Sequence, residues 1–190
     1  MVLPEHFDPA ERGERARNLF LEGYNCCQAV LLAFSDVLEA NGLASEELLK
    51  IIGSGFGGGF ARMREVCGSF SACTMLAGFL RPAGKSDMDA RTANYSLVQE
   101  MAADFRERNG GSIVCGELLG LAQRAAGNYF SDKSAEKPVA APPSTTPTRR
   151  EQEGPRPSER TAEYYKKRPC PEIIRNAATI VAEKMKEAAR

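Results

Sequence analysis

Residues 26–40, CCQAVLLAFSDVLEA, place Val30, Leu31, Phe34, Val37 and Leu38 three or four apart. That spacing collects apolar side chains on one face of a helix and is wrong for a strand, whose faces alternate every second residue. Asn25 in front is a good N-cap and Gly42 behind is a good stop, so a single helix is expected from Cys26 to about Ala40. The same signals recur along the chain. Residues 9–22 begin at Pro9 and stop at Gly23, and Ser45 opens the short segment SEELLKIIG. Another helix is expected from near Cys67 to Leu80, ended by Arg81-Pro82. Ser86-Asp87-Met88-Asp89 reads as a capping box opening a helix to about Asn109, with Leu97, Met101 and Phe105 on a face broadened by Tyr95, Val98 and Ala102. Ser112 caps a further segment, SIVCGELLGLAQRA. Pro171 suits the first turn of a last helix to about Ala189, with Ile173, Ile174, Ala177, Ile180 and Val181 on one side. No alternating or Val/Ile-rich strand pattern appears, so the expected fold class is all-α, a compact multi-helix bundle.

One stretch breaks the pattern. Residues 131–161 hold six of the eleven prolines and no Leu, Ile, Phe or Met. Such a segment buries too little apolar surface to offset its ordering entropy, and it reads as a disordered Pro-rich insertion. The expected organisation is a helical core over 1–130, the insertion over 131–161, and a C-terminal helix within 162–190 that docks back on the core.

Gly53 to Gly78, GSGFGGGFARMREVCGSFSACTMLAG, starts with a glycine run and ends in small residues at helical spacing. Gly53-x-Gly55-x-x-Gly58 matches a dinucleotide-binding fingerprint letter for letter. That fingerprint needs a strand before it and a parallel sheet around it, whereas Ser45-Glu46-Glu47 looks like a helix start. The glycine-rich loop 53–59 is better read as a tight connection between helices that delivers Cys67 to the start of one.

The chain carries no net charge, so nothing draws it generally to nucleic acid or to a membrane surface. Its first twenty residues lack an apolar h-region, and its apolar runs are too short to cross a bilayer. A soluble, cytoplasmic protein is expected, with neither nucleic acid nor membrane as partner. In that compartment six cysteines call for something other than a disulfide framework. There is no Cys-x-x-Cys pair. His6 is the only histidine, which excludes mixed Cys/His zinc fingers and leaves a cysteine hydrolase without a well-placed base.

Cys26, Cys67, Cys115 and Cys170 all fall in the first turn or at the cap of an expected helix. Free N–H groups and the helix dipole favour thiolate there, and can lower a cysteine pKa from about 8.5. Cys73 lies about 120° around a helix from Cys67 and Cys27 about 100° from Cys26, so both read as buried structural residues. Four converging cysteines suit a redox or electron-transfer protein in either of two forms. One is a reactive dithiol that exchanges with disulfides. The other is a Cys-ligated iron–sulfur cluster. The alternative is a structural zinc or protein-interaction module without redox chemistry. Zinc is therefore the second cofactor to consider, and the partner would be a redox protein or a small disulfide or electron donor.

The same residues resemble a known family. Gly23-Tyr24-Asn25-Cys26, Gly55-Phe56-Gly57-Gly58-Gly59, Val66-Cys67-Gly68, Phe105-Arg106-Glu107-Arg108, Gly111 to Gly120 around Cys115, and Cys170-Pro171-Glu172 are similar to the redox-active protein family named for its C_GCAxxG_C_C cysteine pattern. The resemblance implies a small redox protein whose family cysteines correspond to Cys26, Cys67, Cys115 and Cys170. Ser69 and Ala72 stand where the family's Cys-Gly-Ala-x-x-Gly has alanine and glycine, and the insertion before Cys170 is unusually long.

Overall fold

A computed structural model describes residues 1–121, 154–166 and 168–189. Helix α1, Pro9–Leu21, is capped by Asp8, whose carboxylate accepts from the amides of Ala10 and Glu11. It lies along the last helix, α9, Cys170–Ala188. Gly13 makes the close crossing possible, since a Cβ there would collide with Thr179 Oγ1. Arg175 bridges to Glu14 at 3.2 Å along the same seam.

The helix expected over 26–40 is broken in two. Helix α2, Cys26–Leu32, and helix α3, Ser35–Ala40, meet at Phe34, whose backbone leaves the helical region at φ −118° and ψ 9°. The break has identifiable causes. Arg12 Nη1 donates to Ala33 O at 2.9 Å and also grips Asp36, while Ser35 Oγ donates to Leu32 O at 3.0 Å. Apolar spacing alone does not register carbonyls captured by side chains.

Helix α4, Glu46–Gly53, is capped by Ser45 as expected and runs into a 3-10 turn, Ser54–Phe56. Helix α5 spans Gly68–Leu80 and helix α6 Met88–Arg108. Asp87 rather than Ser86 caps α6, accepting from Ala90 N at 2.8 Å, while Ser86 takes a left-handed φ of +62°. Tyr95 is exposed, so α6 buries the narrower face of Met101, Ala102 and Phe105.

The segment begun at Ser112 is much less helical than its pattern suggests. Only Cys115–Leu118 forms a turn, α7, and residues 122–125 lie outside the described residues. Ser112 Oγ accepts from Val114 N instead of capping a helix. Val114 pairs antiparallel with Val66, Cys67 N donates to Ile113 O at 2.8 Å, and Cys115 N donates to Glu65 O at 2.7 Å. The backbone here spends its hydrogen bonds across the chain, which brings Cys67 and Cys115 side by side.

The expected apolar face of α9 is buried throughout: Ile173, Ile174, Ala177, Ile180 and Val181 pack into a core with Leu31, Phe34, Leu76, Met101 and Phe105. Full burial contributes roughly 1.5–3 kcal/mol for each large side chain, which is what docks this helix on the rest. The fold is all-α, with no strand among the described residues. The expected insertion lies outside those residues up to 153. Its last part, 154–161, leads to a short helix α8, Ala162–Lys166. Arg160 Nη1 anchors that part to Phe20 O and Tyr24 O, the carbonyls at the end of α1. Among the described residues no helix is long and apolar enough to cross a membrane.

Candidate functional site

The glycine loop is built left-handed. Gly58 and Gly59 have φ of +69° and +70°, and Phe60, Ala61, Arg62 and Arg64 follow with φ between +48° and +70°. Left-handed backbone costs a non-glycine residue about 1–2 kcal/mol, so this loop stores strain that its surroundings must hold. Wide backbone bonds do so: Ala61 N to Gly55 O, Arg62 N to Gly57 O, Arg64 N to Gly58 O and Glu65 N to Gly59 O. A helix, not a strand, precedes the loop, which removes the context a dinucleotide fingerprint needs.

Four cysteines meet beside this loop, each at a helix start. Cys26 opens α2, Cys67 is the N-cap of α5, Cys115 opens α7 and Cys170 opens α9. All four line one cavity of about 690 Å³. Asn25 fixes the first of them. Its side chain caps α2 and also donates to Gly53 O and Ser54 O, each at 3.1 Å, tying the start of α2 to the end of α4. Cys26 Sγ sits against the first residue of α5, so a Cβ on Gly68 would approach it to 2.5 Å. Cys67 Sγ lies 3.1 Å from Ser69 Oγ, which gives the serine that stands in the family's alanine position a polar contact in the site. Ala72 is fully buried and does not line the cavity. Gly59 passes beneath Cys115, where a Cβ would be 2.6 Å from Cys115 Cβ, and Arg64 Nη1 approaches Cys115 Sγ at 3.9 Å.

Cys27 and Cys73 are fully buried in the core and do not line the cavity. Cys73 S–H donates to Ser69 O at 3.3 Å within its own helix. Burial raises the Cys73 pKa to about 12 and pushes that of Cys27 up strongly.

The expectation that helix starts would lower the four thiol pKa values is reversed. Burial is the largest influence on each and raises all four. At Cys26, backbone N–H groups of Gly58, Cys27, Cys26 and Gly68 pull the other way without winning. At Cys67, burial is reinforced by charge on Cys26 and Cys115, against the hydrogen bond from Ser69. At Cys115, the Arg64 hydrogen bond opposes burial. Cys170 rises to about 11 through burial and the charges of Cys26 and Cys115, against Arg168 and Arg64. A thiol pKa raised in the folded state gives stability that is present below the unfolded value of about 8.5 and is lost as pH rises through the folded one. The melting temperature of the metal-free, reduced protein should therefore hold up to about pH 8.5 and fall steadily toward pH 11. A flat profile over that window, read by circular dichroism, would show that these thiols are not held neutral by the fold.

The cavity contains residues that sequence patterns did not single out. Arg62 and Arg64 come from the strained loop, Arg160 from the segment before α8, and Tyr164 and Arg168 from α8 and just beyond it. No carboxylate lines the cavity among the described residues. Among those residues, too, no three of His, Cys, Asp and Glu stand close enough to hold one metal ion. A closed four-thiolate zinc site would draw all four sulfurs to about 2.3 Å from one ion. An iron–sulfur cluster spreads its ligands over several metal atoms, and an all-cysteine donor set with amide N–H groups around one sulfur matches what such a cluster takes.

The sequence model of the family described as "Putative redox-active protein (C_GCAxxG_C_C)" matches residues 24–184, a span that includes all four of these cysteines. No curated protein and no solved structure matches the chain.

Proposed function

The chain belongs to the C_GCAxxG_C_C redox-active protein family, and we propose that it is an electron-transfer protein whose Cys26, Cys67, Cys115 and Cys170 ligate an iron–sulfur cluster. The observation that carries this reading is the delivery of four cysteines, from four separate helix starts, to one cavity without a carboxylate among its described lining residues. When bound, a cluster supplies a one-electron couple tuned by the charge, hydrogen bonding and exposure around it.

The thiol chemistry favours this over disulfide exchange. Exchange requires a thiolate, and burial moves all four thiols further from one, raising Cys170 to about 11. A thiol bound to a metal is deprotonated outright, so metal binding removes the obstacle that burial creates. The chain's own part is to prepare the sulfurs. The four amides around Cys26 and the Arg64 guanidinium at Cys115 stabilise negative charge on sulfur, and both raise the potential of a couple held there.

Anaerobic reconstitution of the full chain with ferrous iron and sulfide tests the proposal. Bound iron and acid-labile sulfide in comparable amounts, with charge-transfer absorbance that bleaches on reduction, are expected. Colourless stoichiometric zinc would overturn it in favour of a structural site. Reversible loss of two thiols without metal would overturn it in favour of a dithiol.

A further inference from the structure

We propose that the mouth of the cysteine cavity is a binding site for a small organic carboxylate with an apolar body, gripped by Arg160 and Arg168. The inference concerns the same cavity as the proposed function and rests on the two arginines rather than on the sulfurs.

Both arginines line the cavity, and both rest on aromatic faces. Arg160 Cζ lies 4.5 Å from the centroid of the Phe20 ring, and Arg168 Cζ lies 4.7 Å from that of Tyr164. A guanidinium stacked in this way keeps its N–H donors in its own plane, free to fork onto a carboxylate beyond the ring edge. Arg160 uses Nη1 for its bonds to Phe20 O and Tyr24 O, while its Nη2 and Nε donate to no described residue. Carbonyls and rings share a guanidinium's charge without cancelling it.

No carboxylate faces the cavity, and neither Arg160 nor Arg168 takes part in an ion pair among the described residues. Arg62 and Arg64 add two further cations to the described lining. The same lining includes apolar side chains: Leu118, Leu119, Ile173, Pro155 and Pro157. About 690 Å³ is within the range of pockets that enclose small organic molecules. A carboxylate with an aromatic or aliphatic body satisfies both the charge and the walls.

Titration of the full chain with 1-naphthoate, and with neutral 1-naphthamide as control, tests the site by calorimetry. Naphthoate should bind about tenfold or more tightly than the amide. Arg160→Gln and Arg168→Gln should each weaken naphthoate by about tenfold, and Arg168→Lys should fall between. Thermal melts must show each variant folded. Iron and acid-labile sulfide content read the cluster proposal and naphthoate affinity reads this one, so failure of either is distinguishable from failure of the other. Equal binding of acid and amide, no naphthoate binding at about 1 mM, or unchanged affinity in a folded Arg→Gln variant would each overturn the proposal.

Discussion

Serine in place of Cys67 is expected to reduce the iron retained after anaerobic reconstitution by more than about tenfold, and serine at Cys26, Cys115 or Cys170 should do the same. A serine hydroxyl is a hard, weakly acidic donor and a poor substitute for a soft thiolate. Each of these sulfurs also comes from a different helix start. Cys27 and Cys73 supply the control. Both are fully buried away from the cavity, and serine there should leave iron binding intact. The cost at those positions is one of folding, roughly 1–3 kcal/mol for a buried hydroxyl without a full set of partners. Cys73→Ser should sit at the lower end, because Ser69 O is already positioned to accept from it. Iron loss in Cys73→Ser, or iron retained by Cys67→Ser, would show that the wrong sulfurs have been chosen.

The four helix-start cysteines could be found in the sequence because caps are local. Asn25 before Cys26 and Pro171 after Cys170 announce helix starts within a few residues. The apolar face of α9 was equally legible, since its period needs no knowledge of its neighbours. What the sequence concealed depends on contacts between distant segments. Arg12 breaks the second helix by reaching Ala33 and Asp36 from α1, some twenty residues away. The Val66–Val114 bridge replaces an expected helix because backbone from the glycine loop arrives to pair with it.

The direction of the thiol pKa shifts was hidden for the same reason. A helix start favours thiolate locally, but burial by the rest of the chain is the larger influence at every one of the four cysteines. Arg64 combines both kinds of difficulty. Its left-handed backbone at φ +62° has no sequence signature of its own, and its role appears only when the loop folds it against Cys115. The Arg62-x-Arg64 pair beside a glycine run was the available signal, and it is a weak one.

Gly59→Ala is the backbone change expected to do most damage. The new Cβ would stand 2.6 Å from Cys115 Cβ and 2.9 Å from both the amide nitrogen and the carbonyl oxygen of Glu65. Two of those three neighbours are backbone, and Glu65 is held by its own bonds to Gly59 O and Cys115 N, so none can yield cheaply. The position also has φ +70°, which costs an alanine about 1–2 kcal/mol before any clash. With overpacking of about 1–3 kcal/mol added, a loss near 3 kcal/mol is expected, lowering the melting temperature by about 10 °C. Gly68→Ala separates the two contributions. Gly68 is the first residue of α5 and needs no left-handed backbone, yet its Cβ would meet Cys26 Sγ and Phe56 O, each at 2.5 Å. That substitution should displace Cys26 and cost iron binding at least as much as stability. Gly84→Ala, with nothing within 4 Å of its Cβ, should change neither. If Gly59→Ala melts like the unmodified chain, the loop does not pass beneath Cys115 as described, and its close approach cannot be what sets that sulfur beside Cys67.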